Sequence, residues 1–140
     1  MPAEQVRHYL DRASEFSRGM KKLSNDSDAP NFNSAALLAI HCAISYADAL
    51  RTGLGDDRLS GDDHSKAADL LQRQLPSWIK DRNGLERLRK LLSNKNRVAY
   101  AERVLNPNDC KELVTAALKF ETWANGIGRQ LNLEGWQNDD

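Results

Sequence analysis

The sequence predicts an all-α fold, a bundle of helices, and three observations support this. Apolar residues recur at intervals of three and four along most of the chain, which places them on one face of an α-helix. No segment alternates convincingly between apolar and polar residues, and the β-branched residues that favour strands are sparse. Glycine, proline and asparagine interrupt the apolar pattern at positions where helices would end.

The first half of the chain is expected to contain two long helices. The first spans residues 3–23 and carries the following residues on one face: Val6, Leu10, Ala13, Phe16, Met20 and Leu23. The turn-rich stretch 24–31 ends this helix. Asn33 or Ser34 can cap the second helix, which runs to a stop that begins at Gly53.

The second half is expected to contain three more helices. Asp62 can cap the third helix, and Pro76 ends it. The fourth follows Asn83 and Gly84, runs to Asn106-Pro107, and is defined by Leu85, Leu88, Leu91, Leu92, Val98 and Ala99. Asn108 or Asp109 caps the last helix, whose inward-facing residues are Leu113, Val114, Ala117, Phe120, Trp123, Ala124 and Ile127.

Composition and length indicate one globular domain. The chain has 140 residues, of which 40% are hydrophobic and 29% charged, so a packed core is expected and disorder is not. We predict a helical-bundle domain over residues 1–132, followed by a short acidic tail over residues 133–140. The first residues resemble no export signal, and no apolar run is long enough to span a membrane, so a cytoplasmic location is expected. Cys42 and Cys110 are expected to be buried, reduced thiols, and a disulfide between them is the alternative.

The charges are balanced overall but unevenly distributed. The 20 basic and 20 acidic residues cancel, which argues against a general nucleic-acid coat. Residues 73–103, however, contain nine basic residues against three acidic ones, whereas residues 48–69 contain six aspartates against three basic residues. The first segment is a candidate phosphate-facing surface, and a solvated helix face is the alternative interpretation.

The predicted second helix is apolar nearly all round, except for one polar stripe. The stripe consists of His41, Ser45, Asp48 and Thr52, whose spacing places them on a single helical face. A helix with so little polar surface is expected to lie at the centre of the fold. Because a buried polar atom without a partner costs roughly 1–3 kcal/mol, the stripe either lines a site or hydrogen-bonds to a facing helix.

The predicted fourth helix carries a second unusual set of polar residues. Lys95 follows the leucines at helical spacing, and Asn96, Tyr100 and Arg103 share the neighbouring face. This pattern resembles a degenerate HEPN-domain motif, which in catalytic members has an Arg, a polar residue and a His four to six positions after the Arg. Lys95 falls where that Arg would be, Asn96 matches the polar residue, and Tyr100 stands where the His would be.

The resemblance extends over roughly residues 3–130. The helix around His41 and Asp48 is similar to the second helix of bacterial HEPN-like proteins, as is the entry into the third helix at Gly61–His64. It implies an up-and-down, HEPN-like bundle of four to five helices that is often a homodimer. Families of this kind include metal-independent ribonucleases and toxin–antitoxin or phage-defence components, and other members only bind nucleotides or RNA.

The departures from the motif decide between two functions. In catalytic members, the resemblance implies, the Arg stabilises charge on the scissile phosphate and the His assists attack by the ribose 2′-hydroxyl. Lys95 can supply a point charge without bidentate geometry, whereas the Tyr100 phenol is protonated at neutral pH and is a weak base. A base would then have to be His41 or His64.

Two hypotheses therefore stand. The first is a HEPN-like module that binds RNA, a nucleotide or an antitoxin-type partner protein through the groove between the second and fourth helices, with these binding residues: Ser45, Asp48, His64, Asn96, Arg97 and Arg103. The second is a divergent metal-independent ribonuclease in which Lys95, Tyr100 and His41 are catalytic. No metal or cofactor is expected, because no ligand pair with metal-binding spacing is present.

Several of these residues also have a purely structural interpretation. His41 can be a histidine satisfied between helices, and Asp48 can form an ion pair with a lysine or arginine of the motif helix. Among the tryptophans, Trp123 is expected in the core, whereas Trp78 and Trp136 are expected to be available for contacts with a partner.

Overall fold

The computed structural model describes residues 2–25, 31–56, 66–100 and 106–136. This part of the chain forms six α-helices and no strand, which confirms the all-α prediction. The helices are α1 (Pro2–Ser24), α2 (Phe32–Gly53), α3 (Ala67–Gln74), α4 (Asn83–Ser93), α5 (Lys95–Tyr100) and α6 (Pro107–Gln130).

Helices α1 and α2 lie antiparallel against each other. The Phe16 and His41 rings are 5.6 Å apart, and a Cβ added at Gly19 would lie 3.0 Å from the Leu38 side chain. Later residues of α1 therefore contact earlier residues of α2, as in an antiparallel pair. The face that α1 buries carries Val6, Leu10, Ala13 and Met20, as its apolar spacing predicts.

Helix α2 is central, as its composition predicts. Nearly every residue from Ala35 to Thr52 is buried, and α2 contacts all five other helices. Six of its buried residues are alanines, at positions 35, 36, 39, 43, 47 and 49, and their small side chains allow the neighbouring helices to approach closely. This position places any polar residue of α2 between packed helices.

Helices α4 and α6 are also antiparallel. Gly84 lies against Trp123 near one end of the contact, and Lys90 pairs with Glu112 at 3.6 Å towards the other. The Trp123 indole is buried and its Nε1 donates a hydrogen bond of 2.9 Å to the backbone oxygen of Asp81. The prediction that Trp123 belongs to the core is confirmed.

We expect the Gly84→Ala substitution to lower the free energy of unfolding by about 1–3 kcal/mol, the usual range for overpacking. A Cβ at Gly84 would overlap the buried Trp123 ring, whose hydrogen bond to Asp81 resists displacement. The matched control is Gly126→Ala on α6, where a Cβ meets nothing within 4 Å. Gly126→Ala should raise the free energy of unfolding by about 0.5–1 kcal/mol, because alanine favours the helix. Urea denaturation measures both, and stabilisation by both substitutions would contradict the proposed packing.

The predicted fourth helix is two helices, α4 and α5, which meet at Asn94. The Asn94 Nδ2 and the Ser93 hydroxyl both donate hydrogen bonds of 2.8 Å to the backbone oxygen of Lys90. These side chains compete with the backbone amides for a helical acceptor, and the Asn94 amide bonds to Leu91 in a tighter turn. The break orients α5, which begins at Lys95, independently of α4.

Two helix starts differ from the expected caps. Helix α2 begins at Phe32 after Asn31, so Asn33 and Ser34 lie inside the helix. At α6 the Asn106 side chain accepts a hydrogen bond of 2.8 Å from the Asn108 amide, and Pro107 occupies the first turn. The expected cap of the third helix, Asp62, lies outside the described residues.

The segment after α6 folds back onto the helices. Leu133 and Trp136 are buried, and the Trp136 Nε1 donates a hydrogen bond of 3.3 Å to Asn125 on α6. Trp136 was expected to be available to a partner, and the structure corrects this, because its indole fills the space above Gly128. Trp78 remains 53% exposed. Residues 137–140 lie outside the described part of the chain.

Candidate functional site: the polar stripe of α2

The polar stripe of α2 lies along the interface with α1. Ser45, Asp48 and Thr52 are all less than 10% exposed, whereas His41 is half-buried at the rim. The His41 ring packs against Phe16 of α1, and burial followed by the Asp48 charge raises the pKa of Tyr9, also on α1. The stripe therefore runs from a partly open end at His41 into a closed interface at Thr52.

Several hydroxyl and carboxylate atoms along this interface have no hydrogen bond. Within the described residues, Asp48 Oδ1, Thr52 Oγ1 and Ser17 Oγ have no partner. Each such atom costs roughly 1–3 kcal/mol if it stays unpaired. The interpretation that the stripe hydrogen-bonds to a facing helix is therefore not met at Asp48 Oδ1 and Thr52 Oγ1, which stay unpaired inside the helix packing.

The Asp48 carboxyl is half-ionised at about pH 6, well above the range of an ordinary aspartate. Burial raises its pKa from 3.8 to about 6, and the nearby Arg51 and Arg12 guanidinium groups oppose part of that increase. Neither arginine belongs to the motif helix, so within the described residues the charges that act on Asp48 come from α1 and α2. A carboxyl with such a pKa can accept or donate a hydrogen bond at physiological pH.

The His41 imidazole is kept neutral. Burial lowers its pKa below 6.5, and the positive charges of Lys95 and Arg12 lower it further. Lys95, at the start of α5, is half-buried beside the rim. The structure thus places the Lys95 charge near enough to His41 to act on its pKa. A neutral imidazole beside two cations can accept a proton or a hydrogen bond from a ligand hydroxyl.

Sequence reasoning missed Arg12 and Tyr9. Arg12 lies on the exposed side of α1, with its guanidinium 5.9 Å from the centre of the Phe16 ring, and its charge lowers the pKa of both His41 and Asp48. The antiparallel register places Arg12 level with Ser45 on α2. The length of the loop between the first two helices suggests their antiparallel register, and this register could have identified Arg12.

The remaining predicted site residues do not join this cluster in the described structure. Arg97 donates hydrogen bonds to Asp109 at 2.9 Å and to Asn94 at 3.4 Å, which directs its side chain towards α6. Asn96 is exposed on α5. The Tyr100 side chain, His64 and Arg103 lie outside the described residues.

A buried ion pair closes the far end of the stripe. The Arg51 guanidinium donates hydrogen bonds of 3.1 Å and 2.7 Å to Asp56 Oδ2, and Gln74 of α3 donates another of 2.9 Å. The Arg51 and Asp56 side chains are 6% and 1% exposed. This group ties the end of α2 to α3 and positions the Arg51 charge that acts on Asp48.

The two cysteines have no role at the candidate site. Both are buried and free, which confirms the prediction of reduced thiols. Burial raises the pKa of Cys42 to about 12, with a further contribution from Glu121, so its thiol is not a nucleophile at neutral pH. Glu121 is held nearby by a hydrogen bond of 2.8 Å from Tyr46 and by Lys21 at 3.6 Å.

Comparison of the chain with known protein families, curated proteins and solved structures found no match. Among the helices that the structure describes, none combines the length and the apolar character that crossing a membrane requires. Over the same residues, no three histidine, cysteine or carboxylate side chains converge as ligands for a metal ion.

Proposed function

We propose that this protein is a HEPN-like helical module that binds RNA in the cleft between α1, α2 and α5. Lys95 and Arg12 contact phosphate groups, and His41 and Asp48 bond to hydroxyls or base edges deeper in the cleft. The observation that carries the proposal is the pair of cations beside His41. Neither Lys95 nor Arg12 forms an ion pair with a described carboxylate, so both charges are available to an anion.

The helix contacts support the HEPN-like part of the proposal. Helices α1 and α2 are antiparallel, and so are α4 and α6, which is the arrangement of an up-and-down bundle. In this arrangement α5 lies against α2, and the charges of Lys95 on α5 and Arg12 on α1 both act on His41. We further propose that two copies of the chain pair in a homodimer, as the resemblance implies.

The RNA proposal predicts a specific loss of affinity for Lys95→Ala and for Arg12→Ala. Each substitution should weaken binding of a labelled single-stranded RNA about tenfold, the equivalent of about 1.4 kcal/mol for one lost charged contact. Each should also reduce the slope of log affinity against log salt by about 0.7, the value for one phosphate contact on a single strand. Fluorescence anisotropy at several salt concentrations measures both quantities.

The control for these variants is Lys22→Ala, which removes an exposed charge from the end of α1. Lys22→Ala changes the net charge by the same amount as Lys95→Ala or Arg12→Ala, but Lys22 lies about three helical turns from Arg12. If Lys22→Ala and Lys95→Ala weaken RNA binding equally, the affinity is a general effect of net charge and the proposed cleft is wrong.

A second candidate function, a metal-independent ribonuclease, is favoured by the neutral His41 imidazole. An imidazole with a lowered pKa beside Lys95 can take a proton from a ribose 2′-hydroxyl while the ammonium stabilises the phosphate. Incubation of the purified protein with single-stranded and structured RNA in the presence of EDTA separates the two functions. Cleavage that both His41→Ala and Lys95→Ala abolish establishes the enzyme, and binding without cleavage leaves the binding module.

A further inference from the structure

A second concave surface lies on the other side of α6, in the groove between α4 and α6. One part of the groove has a volume of about 760 Å³ and an apolar floor formed by Leu118, Trp123 and Ile127. An adjoining part of about 590 Å³ is lined mainly by charged and polar residues. Arg87 and Lys119 line both parts, so they form one continuous groove.

The rim of this groove carries an excess of positive charge. It has four basic residues, Arg87, Lys90, Lys111 and Lys119, against two acidic ones, Asp81 and Glu112. Lys90 is paired with Glu112 at 3.6 Å, and the Lys111 ammonium lies 5.8 Å from the Phe32 ring. Arg87, Lys111 and Lys119 form no ion pair with a described carboxylate. The groove therefore combines an apolar floor with a rim that attracts anions.

The length of the groove suits a helical peptide. Its lining residues on α6 run from Asn108 to Gln130, which at 1.5 Å per residue is about 33 Å. A helix of about 15 residues is roughly 22 Å long and fits within this span.

We propose that this groove binds an acidic amphipathic helix of a partner protein. Apolar side chains at positions i, i+3, i+4 and i+7 of such a helix cover the floor formed by Leu118, Trp123 and Ile127, and its glutamates or aspartates pair with Arg87 and Lys119. Phosphates of a nucleic acid would satisfy the rim but leave the apolar floor uncovered. The combination of both features selects a peptide, and the groove is separate from the α1–α2–α5 cleft.

The test uses a labelled synthetic helical peptide with leucines on one face and glutamates on the other. We expect it to bind in an anisotropy titration, and the double variant Arg87→Glu/Lys119→Glu to weaken binding at least about tenfold, which corresponds to about 1.4 kcal/mol. Leu118→Ala, which keeps the charge of the groove, should also weaken binding. A peptide with lysine in place of glutamate and a scrambled peptide of the same composition are expected to bind poorly.

Other outcomes would overturn the proposal. No binding of the glutamate peptide at concentrations up to about 1 mM, the range of very weak complexes, would do so. The proposal would also fail if the scrambled peptide bound as tightly as the glutamate peptide. It would fail as well if Arg87→Glu/Lys119→Glu lost binding to single-stranded RNA while Lys95→Ala kept it. Self-association that the double variant abolishes would identify a second copy as the occupant. Circular dichroism shows whether each variant is folded. The Lys95→Ala variant should bind the peptide as the wild type does, because Lys95 lies in the other cleft.

Discussion

The Arg51→Met substitution is expected to lower the free energy of unfolding by about 3–5 kcal/mol, the range for removing one partner of a buried ion pair. Arg51 donates two hydrogen bonds to Asp56, and both side chains are less than 10% exposed. Without the guanidinium, the buried Asp56 carboxylate loses a counter-charge and two hydrogen bonds. Chemical denaturation of the wild type and the variant at neutral pH measures the loss.

Two further variants show whether burial is the cause. Arg7→Ala removes a cation from an exposed pair with Asp11, and such i, i+4 pairs contribute about 0.3–0.5 kcal/mol. The double variant Arg51→Met/Asp56→Leu removes both charges and should recover most of the stability that Arg51→Met loses. If Arg51→Met costs no more than Arg7→Ala, the pair is not a buried link between α2 and α3.

The helices could largely be predicted from the sequence, because their signals are local. The spacing of Val6, Leu10 and Ala13 shows where α1 is buried, and the apolar composition of α2 shows that it is central. The break at Asn94 was missed, because a single asparagine inside an apolar pattern rarely ends a helix. Here the side-chain amide of Asn94 donates a hydrogen bond to the backbone oxygen of Lys90, which becomes evident only from the local geometry.

The site could be predicted only in part, because it depends on which helices pack together. His41, Asp48 and Lys95 were found from their spacing within α2 and the motif helix, and His41 and Lys95 do lie close together. Arg12 was missed because nothing in α1 itself distinguishes an exposed arginine that reaches across a hairpin. Arg51 resembled an ordinary charge in the last turn of a helix, and its burial follows from the later position of Asp56 and Gln74.

The Asp48→Asn substitution is expected to stabilise the protein at pH 7 by up to about 3 kcal/mol and to change little at pH 4. Burial raises the pKa of Asp48 from 3.8 to about 6, a difference of about two units at about 1.4 kcal/mol each. The folded state therefore holds this proton more tightly than the unfolded state does. Its contribution to stability is full below about pH 4 and is lost as the pH rises through about 6. Asparagine removes that loss because it has no charge to bury.

Urea denaturation of both proteins from pH 4 to pH 8 measures this effect as a difference between two curves. His41 acts in the opposite direction, since its lowered pKa costs stability as the pH falls below 6.5, but it is present in both proteins and cancels. Arg51, Arg12 and Tyr9, the groups that interact electrostatically with Asp48, are likewise unchanged. Parallel curves for the wild type and Asp48→Asn would show that Asp48 does not titrate in this range.

The same ionisation connects stability with the proposed RNA cleft. An ionised Asp48 reduces the positive potential that Arg12 offers to a phosphate, whereas a protonated Asp48 removes that opposition and can donate a hydrogen bond. Wild-type affinity for single-stranded RNA should therefore rise more steeply between pH 8 and pH 5.5 than that of Asp48→Asn, in which only His41 remains to titrate in the cleft. Equal pH dependence in the two proteins would place Asp48 outside the binding site, so that its titration affects stability alone.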